Sequence, residues 1–206
     1  MPKHCERSAT RSRGTTTREA LLVACTLWVA WVQPAGAATV VLDAERNGDV
    51  IDIHASAVLN ADAATAWRVL TDYDRYPEFI PDLRESRVVA RRDPIVTVEQ
   101  SGDAALWQFK FPLHITFEIR ESPPNGLQSR AVAGSLRSLL SSYALTPVGP
   151  SMRLDYIGHV APGFALFGPI EQTAVERNIA RQFEALANEI ERQSAATHAH
   201  PASAAK

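Results

Sequence analysis

The chain has 206 residues, 21 basic against 23 acidic, and a formal net charge of −2. That length sets one domain with tails. The mild excess of acid, with no basic run, argues against nucleic acid as a partner.

The first 37 residues read as a secretory signal peptide. A basic stretch (Lys3, Arg7, Arg11, Arg13, Arg18) precedes an apolar run from Ala20 to Val32, and Ala35-Gly36-Ala37 follows Pro34. This order places cleavage near Ala37 and the mature protein in the periplasm or outside the cell. The apolar run is shorter than the roughly 20 residues that span a bilayer. Retention as an uncleaved anchor is the alternative. Cleavage would leave 16 basic against 21 acidic residues and remove both cysteines, Cys5 and Cys25. Such a mature chain has no disulfide, no thiolate metal site and no cysteine nucleophile.

Residues 38–47 are expected as a lead-in closed by the turn signal Asn47-Gly48. From Asp49 to Leu59, Ile51, Ile53, Ala55 and Ala57 alternate with Asp52, His54 and Ser56, the pattern of a strand buried on one face. Asn60 or Asp62 can cap a following helix, with Ala63, Trp67 and Leu70 on one side. The stretch from Asp72 to Pro81 carries two tyrosines, a phenylalanine and two prolines. It is too proline-broken for a long helix and too aromatic for a plain solvated loop, so it forms a structured corner. Strands follow over 85–92 and 95–100, separated by Asp93-Pro94, with Ser101-Gly102-Asp103 as an interruption.

Residues 106–121 carry the cleanest period of two. Trp107, Phe109, Phe111, Leu113, Ile115, Phe117 and Ile119 share one face. Pro112 cannot donate to a ladder, so two strands or one bulged edge strand are expected there. Pro123-Pro124-Asn125-Gly126 is a turn. Three more strands follow over 127–133, 136–145 and 152–160. The segment Pro162 to Pro169 is an apolar loop containing Phe164 and Phe167. Val175, Ile179, Phe183, Leu186 and Ile190 then recur at helical spacing. From residue 194 to 206 the composition reads as a disordered tail.

One long helix must cover the apolar face of the whole sheet. A sheet curved around that helix does so and leaves internal space suited to an apolar ligand. The expected fold is therefore α+β, with a curved antiparallel sheet of six to seven strands and a long C-terminal helix over residues 48–193. Candidate lining or rim residues are Tyr76, Phe79, Trp107, Phe109, Phe111, Phe117, Tyr143, Tyr156, Phe164 and Phe167.

The run Ala66-Trp67-Arg68-Val69-Leu70-Thr71-Asp72-Tyr73, continued through Tyr76-Pro77-Glu78-Phe79-Ile80-Pro81, resembles the helix-grip fold of the SRPBCC (START-like) superfamily. Within it, the chain is similar to the polyketide cyclase/dehydrase family, which includes coenzyme Q-binding START-domain proteins. Ser86-Arg87-Val88, Glu121-Ser122-Pro123-Pro124, Leu145-Thr146-Pro147 and Arg153-Leu154-Asp155-Tyr156 fit the same pattern, over residues 48–192. The chain departs from it at Ser142-Tyr143-Ala144, where many relatives place Gly-x-Trp. The resemblance implies a cavity for a lipid, an isoprenoid quinone or a polyketide-like molecule.

The expected function is binding or transport of such a hydrophobic molecule in the cell envelope; Phe164 to Phe167 is read either as a loop packed under the terminal helix or as a gate or foot for transient membrane contact. The alternative is a cyclase or dehydratase, for which Tyr143, Tyr156 and Asp155 are the candidate acid/base groups. A partner-binding module with a filled core is the third reading. No catalytic motif, metal-ligand pair or cofactor-binding loop is visible. His54, His114 and His159 alternate with apolar residues and are expected to face solvent.

Overall fold

The computed structural model describes residues 39–106, 109–163 and 169–199. The proposed signal segment lies outside them. Eight strands form one antiparallel sheet: β1 (Val40–Asn47), β2 (Val50–Leu59), β3 (Leu83–Arg92), β4 (Ile95–Leu106), β5 (Phe109–Ser122), β6 (Gly126–Gly134), β7 (Ser138–Val148) and β8 (Ser151–Ala161). Their order across the sheet is β1-β2-β8-β7-β6-β5-β4-β3. Two helices complete the fold, α1 (Ala63–Leu70) and α2 (Pro169–Ala199). Among the described residues no helix is long and apolar enough to cross a membrane.

Period-two alternation sets which face each strand buries. In β2, Ile51, Ile53, Ala55, Ala57 and Leu59 are buried, and His54 between them is exposed. Each fully buried Ile or Leu contributes about 1.5–3 kcal/mol. The same alternation buries Val96 and Val98 in β4 and Leu154 and Tyr156 in β8. The heptad-like stripe of α2 covers this face, with Phe183, Leu186, Ala187 and Ile190 buried.

Asp62 caps α1. Its Oδ1 accepts from the Thr65 backbone N–H at 2.8 Å, and its Oδ2 accepts from Thr65 Oγ1 at 2.9 Å. The buried face of α1 is Ala66, Val69 and Leu70, whereas Ala63 and Trp67 are only half-buried. The expected Ala63–Trp67–Leu70 face is thus rotated. An eight-residue helix takes its orientation from what it packs on.

The corner after α1 is a single 3₁₀ segment, Tyr73–Glu78, which accommodates Pro77. Its aromatics form an edge-to-face chain: Tyr73 to Tyr76 at 5.8 Å and Tyr76 to Phe79 at 5.5 Å between ring centres. Polar ends are all spent on the scaffold. The Tyr73 hydroxyl donates to Glu121 at 3.0 Å, the Tyr76 hydroxyl donates to the Leu70 carbonyl at 2.7 Å, and Asp74 accepts from the Val88 N–H at 2.7 Å. The corner therefore binds α1, β3 and β5 together.

Four sequence expectations change. Within the expected lead-in, Val40–Asn47 is strand β1, whose Val40, Leu42 and Ala44 pack on the core. The sheet therefore has eight strands, not six or seven. Ser101-Gly102-Asp103 does not interrupt β4. Gly102 instead lets the neighbouring backbone approach, because a Cβ there would stand 3.1 Å from Leu83 Cα. Pro112 sits opposite Asp103 inside one continuous β5. Finally, α2 runs on to Ala199, past Gln193 where a tail was expected. Ser194 is fully buried, and Thr197 Oγ1 donates to the Gln193 carbonyl at 2.9 Å. Alanine-rich sequence sustains helix when one side is packed.

Candidate ligand cavity

Between the concave face of the sheet and α2 lies a cavity of about 220 Å³. Its walls follow from the alternation already described. The inward residues of β5, Phe111, Leu113, Ile115, Phe117 and Ile119, form one wall, and Val175, Ile179 and Leu186 of α2 face them. Leu127, Leu139 and Val160 close the side toward β6, β7 and β8. Asp82, Gln100, Ser101, Asp103, Asn178 and Gln182 add polar groups. Both acids are ion-paired, Asp82 with Arg181 at 2.5 Å and Asp103 with Arg84 at 2.9 Å. Gln182 Nε2 donates to Asn178 Oδ1 at 2.7 Å along one side of α2.

Five of the ten candidate residues line this space: Tyr76, Phe111, Phe117, Tyr143 and Tyr156. Phe79 does not; it stands behind Tyr76, packed against that ring. Trp107, Phe164, Phe167 and the side chain of Phe109 lie outside the described residues.

A small polar cluster interrupts the apolar wall. Ser129 of β6 and Ser141 of β7 are direct partners in the ladder, and their hydroxyl oxygens are 2.7 Å apart. Tyr143 and Tyr156 are direct partners in the next ladder, with ring centres 4.9 Å apart. Tyr156 lies along β8 over Gly158, the residue paired with Ser141. Only the absence of a side chain at Gly158 permits this, because a Cβ there would stand 2.8 Å from Tyr156 Cζ. Gly158→Ala is expected to displace that ring and cost about 1–3 kcal/mol, the usual range for overpacking. Urea unfolding measures the cost, and an unchanged midpoint would mean the ring is free to move.

Burial pushes the Tyr156 phenol up to about 12, and Ser141 beside it opposes the rise. Burial also drives Tyr143 well above its ordinary value, helped by the nearby Tyr156 and Tyr76 hydroxyls. Both phenols are therefore neutral hydrogen-bond donors across the physiological range. The serines were invisible to the sequence reading. A serine at an inward position breaks the apolar alternation and looks like an outer-face residue.

Asp155 does not belong to the site. Its carboxylate accepts from Ser56 Oγ at 2.8 Å and from Arg153 Nε at 2.9 Å, on the opposite face of β8 from Tyr156. His54, His114 and His159 are exposed. His159 Nδ1 lies 2.6 Å from Asp52 Oδ1 across the β2–β8 pairing, a neighbour that linear spacing cannot reveal. Among the described residues no three His, Cys, Asp or Glu side chains gather as metal ligands.

A curved antiparallel sheet gripping one long C-terminal helix, with an apolar space between, defines a START-like helix-grip protein. The chain belongs to the polyketide cyclase / dehydrase and lipid transport family, whose profile matches residues 59–187. No curated protein matches the sequence. Similar solved structures include a STAR-related lipid transfer protein fragment from Xanthomonas axonopodis, at 15% identity and TM-score 0.62, covering 77% of this chain and 96% of that one. The Zhui aromatase/cyclase from Streptomyces sp. R1128 follows at 12% identity and TM-score 0.61, covering 76% and 99%. A START superfamily protein from Mycobacterium smegmatis has 16% identity and TM-score 0.57, covering 71% and 98%. At such identities the likeness establishes the fold alone.

Proposed function

We propose that this protein binds a hydrophobic small molecule, of the lipid or isoprenoid quinone class, in the cavity between sheet and α2. The observation that carries this reading is the cavity of about 220 Å³ with its aromatic and aliphatic walls. A well-packed domain keeps few voids larger than a water molecule, and an apolar cavity of about 150 Å³ already takes up benzene. This one accommodates a ring system or a short acyl segment. A longer tail would have to leave past the cavity's polar groups or along α2. The signal-like first 37 residues support a site of action in the cell envelope, where such molecules are abundant. Transport between membranes, with a transient membrane contact, extends the same reading.

The test is mass spectrometry of the organic extract of natively purified protein. A co-purifying lipid or quinone, in stoichiometric amount, is the expected result. An empty extract, together with no binding of added quinones or fatty alcohols, would sink the proposal.

A second reading, cyclase or dehydratase chemistry, draws on the Ser141, Tyr143 and Tyr156 hydroxyls. It is the less supported of the two. An efficient general base has a pKa near the working pH, and burial moves both phenols away from it. The one carboxylate candidate, Asp155, faces outward.

A further inference from the structure

The geometry points to Tyr143 and Tyr156 as a paired hydroxyl anchor for one uncharged oxygen of the ligand, a ketone or quinone carbonyl. This inference rests on the binding reading above and specifies the chemistry of the bound molecule. Three observations support it.

The first is the hydrogen-bond inventory. The Tyr143 hydroxyl makes no hydrogen bond among the described residues, although its ring is held between Tyr156 and Phe183. By contrast, Tyr73 and Tyr76 spend theirs on Glu121 and the Leu70 carbonyl. Ser129 and Ser141 share one bond, and Ser141 stands beside the Tyr156 hydroxyl. Ser129 and Ser141 can satisfy one another, and no hydrogen bond donated by the Tyr156 hydroxyl is present among the described residues, so its hydrogen is unspent as well. Two donors are thus left on directly paired residues of β7 and β8. A carbonyl oxygen has two lone pairs and can accept from both.

The second observation is charge. No Arg, Lys or His is among the described residues that line the cavity, and its two charged members are Asp82 and Asp103. An anionic head would lose its hydration with no cation to meet it. A neutral oxygen carries no such cost. The third is placement. The tyrosine pair faces Phe183 of α2 and lies among apolar walls, so a polar atom there must be buried with the ligand.

The experiment compares three probes that share one ring system: naphthalene, 2-acetonaphthone and 2-naphthoate. Calorimetric titration of the full chain at neutral pH is expected to rank the ketone first, roughly 5- to 30-fold tighter than naphthalene, as two net buried hydrogen bonds allow. The carboxylate is expected to bind at least about 100-fold more weakly than the ketone, as burial of an unpaired charge requires. Tyr143→Phe and Tyr156→Phe should each bring the ketone-to-naphthalene ratio toward one. Equal binding of ketone and naphthalene, an unchanged ratio in both variants, or tight binding of the carboxylate overturns the anchor while leaving the cavity reading intact. Failure of both neutral probes to bind overturns the two together.

Discussion

Raising the pH from 10 to 12 is expected to unfold this protein in one cooperative step. The chain contains four tyrosines, and all four are packed into the fold. Tyr156 is pushed up to about 12, and Tyr73, Tyr76 and Tyr143 are raised as well. Burial is the main cause in each, joined at Tyr73 by the Glu121 carboxylate that accepts its hydroxyl. The sign follows from linkage. Below pH 10 the phenols are protonated in both folded and unfolded chains, and their contribution is fully present. Above it the unfolded chain ionises and the folded one does not, so stability drains away until the folded values are reached. Each such group removes about 1.4 kcal/mol per pH unit, and four together about 5 kcal/mol per unit. Native stability is only about 5–15 kcal/mol. Phenolate absorbance should therefore stay flat and then rise together with the loss of circular dichroism. A gradual rise near pH 10, with the dichroism unchanged, would show that the tyrosines titrate inside the native fold.

Phe183→Ala is expected to cost about 3–5 kcal/mol, the usual range for a buried phenylalanine. Phe183 is 1% exposed and is the residue of α2 that meets the tyrosine pair. Its ring is parallel to Tyr143 at 6.5 Å and tilted against Tyr156 at 6.4 Å. Removing it strips aromatic contacts from both and enlarges the adjoining cavity. Urea unfolding measures the loss, and saturating naphthalene should restore part of it by filling the new space. A cost below about 1 kcal/mol would mean that the helix is not held to the sheet at this point.

How much of this was legible in the sequence depended on how local each signal was. The alternation in β2 and β5 and the helical stripe of α2 are set by neighbours in the chain, and they placed most of the core. The corner at Tyr73 to Phe79 was legible as a corner, though not as a tie between α1, β3 and β5, because Glu121 and Val88 are distant in sequence. Strand β1 was missed because Val41 points to solvent at 69% exposure, so Val40, Val41 and Leu42 read as a blurred period. The polar cluster was missed for a related reason. Ser129 and Ser141 gain meaning only when β6 and β7 pair in register. The aromatic wall of the cavity was readable, but the Ser129–Ser141 pair set into it was not.

The pairing of β2 with β8 has a kinetic side. Ile51 lies opposite Val160 and Leu59 opposite Met152. All other adjacent strands in the sheet follow one another directly in the chain. Strands β3 to β8 form a meander whose loops close at small entropic cost. Joining β2 to β8 must close nearly the whole domain into one loop. That ladder is accordingly expected to form late in folding, with α2 seating on β1 and β2 alongside it. The cavity is complete only once this closure is made, so the rate at which the ends of the chain come together is expected to set how soon a newly made molecule presents its internal space. Substitutions in β1 and β2 are then expected to act mainly on how fast the finished protein opens, and those in the meander on how fast it forms, which chevron kinetics would measure.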